Sequence, residues 1–122
     1  MRAALELAPA DVVSAYLFGS QARGTARAAS DIDVALLLEK DPEPKLQSTA
    51  RRLEGDLERA LRRPVEVLVL NRAAPDLVHR VLRDGRVLLD RDRPARLRFE
   101  VQARNEYFDL QPILRRYRRG RL

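Results

Sequence analysis

Residues 31–38, DIDVALLL, constrain the fold more than any other stretch of the chain. Their first half alternates: Asp31 and Asp33 fall on one face of a strand, Ile32 and Val34 on the other. Their second half is apolar at every position, as in a central strand covered on both sides. A chain of 122 residues that contains such a strand must place a layer on each face of its sheet. That length is expected to make one compact domain, residues 1–122.

The flanking sequence supplies those layers. Residues 3–8 (AALELA) form a short helical segment stopped by Pro9. Residues 12–18 (VVSAYLF) are rich in β-formers and end at Gly19, which predicts a buried first strand. Gly19-Ser20 is a turn, residues 21–23 begin a short helix, and residues 24–30 are a polar loop. Pro42 and Pro44 mark a break over residues 39–44.

Residues 45–63 carry Leu46, Ala50, Leu53, Leu57, Ala60 and Leu61 at helical spacing, with Gly55 inside and Pro64 at the end. Residues 65–70 (VEVLVL) form a strand with Glu66, Leu68 and Leu70 on one face and Val65, Val67 and Val69 on the other. Asn71 and Pro75 open a helix over residues 75–84, which ends at Asp84-Gly85, and residues 86–90 form a fourth strand. A last helix spans residues 95–118 with Leu97, Val101, Tyr107 or Phe108, and Leu110 as its contacts and a kink point at Pro112. Strands interleaved with helices define an α/β or α+β fold with helices on the sheet.

Composition narrows the chemistry. The chain has no cysteine, so disulfides and thiolate metal sites are excluded. No apolar run reaches the roughly 18–20 residues of a membrane helix, and the first residues lack the apolar core of a signal peptide. A cytoplasmic setting is expected. The formal charge is +6, and lysine appears only at positions 40 and 45, so the excess is arginine. That balance suits nucleotides, nucleic acid or an acidic protein. The arginine-rich end has only Tyr117 interleaved, which disfavours a stacking platform for single strands. His79 is the lone histidine, with no partner for zinc, and reads as a surface or half-buried helix position.

The candidate site lies in residues 18–34. A Gly19-Ser20 turn after a strand lets backbone N–H groups approach phosphate, and the Ser20 hydroxyl adds a donor. Arg23 or Arg27 adds a guanidinium. Asp31 and Asp33 offer hard oxygen ligands roughly 7 Å apart along one strand face, suited to Mg²⁺ with substrate phosphates. Glu66 is a third carboxylate on a later strand. A Gly-Ser turn alone is common, and so is an isolated Asp-x-Asp; their joint order is what carries information. The G-x-G-x-x-G and Walker-type glycine motifs are both absent.

The run GSQARGTARAASDIDVALLL resembles the G-S…D-x-D signature of the DNA polymerase beta-like nucleotidyltransferase superfamily. In so short a chain it is similar to the minimal nucleotidyltransferases (MNT), and the ending RFEVQARNEYFDLQPILRRYRR resembles their terminal helix. The resemblance implies a small mixed sheet carrying helices and transfer of AMP from ATP with two Mg²⁺ ions. It also implies a partner, a HEPN-type ribonuclease toxin whose tyrosine accepts the AMP. Gly19, Ser20, Arg23 and Ser30 would bind nucleotide, with Gly24 in support, and Asp31, Asp33 and Glu66 would ligate metal and carry catalysis. Glu66 stands where the family often has aspartate. Its extra methylene displaces the carboxylate by over about 1 Å, which bears on turnover more than on metal binding. Neutralisation of a toxin by contact alone, and transfer to RNA or a small molecule, are the alternatives. With no second domain, an acceptor surface is expected from another chain, a partner or a second copy.

Overall fold

The computed structural model describes residues 2–19, 31–40 and 44–120. The elements run α1 (Arg2–Glu6), β1 (Val12–Phe18), β2 (Ile32–Leu38), α2 (Pro44–Leu61), β3 (Val65–Val69), α3 (Pro75–Asp84), β4 (Arg86–Asp90) and α4 (Arg93–Gly120). The strands form one sheet in the order β3-β2-β1-β4. β1 is antiparallel to both β2 and β4, and β2 is parallel to β3. The sheet is therefore mixed, with α2 as the crossover that a parallel pair requires.

β2 is the central strand that its sequence describes. Residues 34–38 are all buried, alternately under two different layers. Val34, Leu36 and Leu38 join Val12, Ala15, Val65 and Val67 beneath Leu5 of α1 and Leu53 and Leu57 of α2. Ala35 joins Tyr16 and Leu70 beneath Val78 and Val81 of α3, with Phe99 and Ala103 of α4 packed on the same cluster. Each of these cores is the apolar face of a helix laid on the apolar half of a pleat.

Helix ends follow local chemistry. α2 begins at Pro44, inside the expected break, because proline is well tolerated in a first turn, where no N–H is needed. It ends where Arg62 adopts a left-handed backbone, φ 55°, two residues before Pro64. Leu46 lies outside the residues whose side chains are described, and Ala60, expected on the buried face, is exposed. Asp92 caps α4, its Oδ1 accepting from Ala95 N at 3.1 Å.

Arg91 ties the N-terminal segment down. Its guanidinium donates to the carbonyls of Glu6 (3.0 Å), Ala8 (2.8 Å), Pro9 (2.5 Å) and Val12 (3.3 Å), joining the end of α1, its following turn and the start of β1.

Asn71, expected to open α3 with Pro75, lies three residues before the N-cap, Ala74. Its side-chain amide instead faces the end of β2, accepting from Leu38 N at 2.9 Å and donating to Leu38 O at 2.9 Å. One side chain thus extends the β2–β3 ladder by a rung. Among the described residues, no helix is long and apolar enough to cross a membrane.

α4 departs most from expectation. It runs unbroken through Pro112, and of the contacts expected for it only Tyr107 is confirmed. Leu97, Val101, Phe108 and Leu110 are exposed, and the residues that meet the sheet are Phe99 and Ala103. Tyr107 stacks flat on His79 of α3, ring centroids 3.7 Å apart, so the lone histidine is a packing residue. Arg96, beneath the helix, pairs with Asp90 at 3.0 Å and with Glu100. Beside it the Tyr16 hydroxyl is pushed up to about 12 by burial first and by the Glu100 charge second.

Candidate active site

The carboxylates expected from sequence meet at one mouth of the sheet. β1 ends there, while β2 and β3 begin there. Phe18, the last residue of β1, pairs with Asp33, and Asp33 pairs with Glu66 across the parallel ladder. Register partners in neighbouring strands point to the same face at the strand spacing of about 4.8 Å. Asp33 and Glu66 therefore stand side by side, on the face opposite Ile32, Val34, Val65 and Val67. Glu66 is exposed and Asp33 half-buried. The single carboxylate of an otherwise apolar strand is thus no buried charge: the helical layer that covers Leu70 stops short of it.

Asp31 is exposed and sits one residue before the first paired position of β2. Its neighbour Ile32 is held by a hydrogen bond from its N–H to Pro64 O at 2.9 Å. The structure therefore brings Asp33 and Glu66 together and leaves Asp31 at the entrance. Among the described residues, no group of three or more histidines and acids converges as a metal cluster.

Gly19 closes the other side. It has φ +73°, and a Cβ built on it would lie under 3.0 Å from Asp33 Oδ2 and 3.3 Å from Asp33 Cγ. Glycine is required there twice over, by the backbone conformation and by the carboxylate it faces. Ser20, Arg23, Gly24, Arg27 and Ser30 lie outside the described residues.

Two residues that sequence reading passed over hold β3 in place. β3 is an edge strand, so the N–H and C=O of Val67 point away from β2. Glu54 Oε2 on α2 accepts from Val67 N at 2.9 Å, and Arg51 Nη2 donates to Val67 O at 3.1 Å. Arg51 and Glu54 also bond each other at 2.8 Å. The pair acts as a surrogate strand beside the residue that follows Glu66. The only sequence signal for it is an i, i+3 charge pair on a helix, which is indistinguishable from ordinary surface pairing.

A hollow of about 180 Å³ lies between the start of α3 and the middle of α4, lined by Leu70, Asn71, Pro75, Phe99 and Gln102 among others. It sits at the opposite end of β3 from Glu66 and is smaller than the roughly 300 Å³ at which small-molecule pockets begin.

The arrangement offers two adjacent carboxylates, one of them packed against the bare backbone of Gly19. Residues 5–94 match the family described as polymerase beta, nucleotidyltransferase. The chain belongs to that family. Solved nucleotidyltransferase-fold chains agree in shape. One is from a toxin–antitoxin structure with AMP-PNP, 28% identical with a TM-score of 0.76, the match covering 90% of this chain and 86% of that one. Another is from the MntA–HpeT toxin–antitoxin pair, 26% identical with a TM-score of 0.75 over the same shares. A third comes from a tri-AMPylated Shewanella oneidensis HEPN toxin in complex with MNT antitoxin, 24% identical with a TM-score of 0.70, covering 90% and 82%. No curated protein sequence matches. The mixed sheet with helices on both faces is the nucleotidyltransferase fold, as expected from the Gly-Ser and Asp-x-Asp motifs.

Proposed function

We propose that this chain is the antitoxin of a HEPN toxin pair and transfers AMP from ATP to a tyrosine of that toxin. The observation that supports it is the Gly19–Asp33–Glu66 arrangement, paired carboxylates at the strand mouth with a glycine backbone against one of them and the other exposed. The toxin–antitoxin neighbours, one of them holding AMP-PNP, favour the same reading.

In the reaction the tyrosine oxygen bonds to the α-phosphorus of ATP. The bond from that phosphorus to the α–β bridging oxygen breaks and pyrophosphate leaves. Glu66, the exposed acid of the pair, takes the phenolic proton. Gly19 leaves room for the Asp33 carboxylate against its backbone, and Ser20, Arg23 and Ser30 would bind the triphosphate. Divalent metal fits the donors present, since they are hard oxygens and Mg²⁺ asks for only one or two protein carboxylates besides phosphate and water. Asp31, Asp33 and Glu66 would hold it, and when bound it supplies neutralising charge to the triphosphate.

The test is incubation with α-labelled ATP, Mg²⁺ and the HEPN-type product of the neighbouring reading frame. Label is expected on that protein with the wild type and not with Asp33→Asn. Neutralisation of the toxin without label, equally by wild type and variant, overturns catalysis. It would favour neutralisation by contact, a reading supported by Glu66 standing in place of aspartate.

A further inference from the structure

α4, of 28 residues, is about 42 Å long at 1.5 Å per residue. Its inner side is used up by Arg96, Phe99, Ala103 and Tyr107. Its outer side carries Leu97, Val101 and Phe108, which are 43%, 54% and 59% exposed. At 100° per residue these three fall within a 40° arc, pointing away from the sheet-facing residues. Further along the helix Ile113, at 62% exposed, is bare as well.

The charge around this stripe has one sign. α4 contains eight arginines against three acids, so it holds nearly all of the chain's +6. Exposed Arg93 and Arg104 border the stripe on one side and Arg98 and Arg116 on the other. No acid falls between them; Glu100 is turned inward onto Arg96, and Asp109 lies outside the arc.

Resting on the toxin-partner reading above, we propose that the outer stripe of α4 is the docking surface for the toxin. The occupant is a toxin helix with an apolar centre and Asp or Glu along its flanks. Anchors spaced i, i+4, i+11 over about 16 Å match the way one helix packs along another. The bordering arginines select acids at the rim and speed encounter. A second copy of this chain is a poorer occupant, because it would set arginine rim against arginine rim. The surface also delivers what the strand mouth lacks, a means of holding an acceptor protein in place while its tyrosine reaches the carboxylates.

The test uses the full chain carrying Val101→Glu and Phe108→Asp. Both sites are exposed, so the melting temperature is expected to stay within about 2 °C of wild type. Affinity for the HEPN-type product of the neighbouring reading frame, measured by calorimetry, should fall at least tenfold, and binding of AMP-PNP with Mg²⁺ should not change. A second variant, Arg98→Glu with Arg104→Glu, should slow association and flatten its salt dependence. Partner affinity within twofold of wild type in the folded first variant overturns the proposal. So does a self-associating wild type that the variant converts to monomer while partner binding survives. Failure of the wild type to bind the partner overturns the surface and its occupant together. Binding that depends on the stripe without any AMP transfer sinks the enzymatic reading alone and leaves the surface standing.

Discussion

Gly19 and Asp33 are fitted to each other. The glycine takes φ +73°, and the Asp33 carboxylate occupies the space a Cβ would need. Gly19→Ala therefore meets two costs, about 1 kcal/mol or more for a left-handed alanine and the displacement of Asp33. A shift of about 1 Å in a reacting group is worth on the order of a hundredfold in rate. AMP transfer should fall by about that factor, while thermal melting moves by only a few degrees.

The Arg51–Glu54 brace should be visible in hydrogen exchange. Glu54→Ala removes the acceptor for Val67 N and leaves a partly buried edge amide unpaired. The expected cost is about 1–3 kcal/mol, the range for stranding a partly buried donor. Exchange at the Val67 amide should accelerate more than exchange at Val34 in the strand beside it. Equal acceleration at both would mean that Glu54 serves the fold at large rather than the edge of β3.

Tyr16 gives the molecule an alkaline limit. Its folded pKa of about 12 lies above the ordinary value of 10.0, because burial and the Glu100 charge disfavour the phenolate. The neutral form is the one that the fold accommodates, so its stabilisation is intact below pH 10 and is lost as pH rises from about 10 to about 12. Tyr16→Phe should flatten that part of the urea-melt stability profile. The substitution costs little at neutral pH, since among the described residues the buried hydroxyl has no hydrogen-bond partner of good geometry.

Gly55 is free of such constraint. It lies inside α2, where a Cβ would meet only Arg59 Nη1 at an ordinary 3.5 Å. Gly55→Ala should stabilise the chain by about 0.5–1 kcal/mol, the helix-propensity difference. The corresponding change at Gly85 should destabilise, because a Cβ there runs into Val81 O and comes within 3.2 Å of Leu17 O. Paired thermal melts would separate the two glycines.

The strands and their faces were legible because period two leaves little freedom. Val65 and Val67 inward against Glu66 outward follow from the pattern alone, as does the doubly covered end of β2. α4 was not legible, because its apolar residues surround the helix rather than forming one stripe. Sequence spacing alone cannot choose between Leu97–Val101–Phe108 and Phe99–Ala103–Tyr107. The choice is made by tertiary contact, with the Arg96 ion pairs and the His79 stack deciding which side faces the domain. The carboxylates were identifiable as residue types, but their juxtaposition is a matter of strand order and register, which no local pattern encodes. Asn71 misled for the opposite reason: a polar residue shortly before a proline-started helix reads as part of its opening, and a bond thirty-three residues away overrode it.

The parallel pairing of Asp33 with Glu66 has a consequence for folding fidelity. Moving β3 by one residue along β2 would bring Val65 or Val67 opposite Asp33 and turn Glu66 toward α2. That slip would strip the site of an acid, and it would also expose two core valines and bury a charge. A mispaired molecule is thus unstable for the same reason that it is inert. The valines that flank Glu66 proofread its position, so a chain that has folded stably has also assembled its pair of acids.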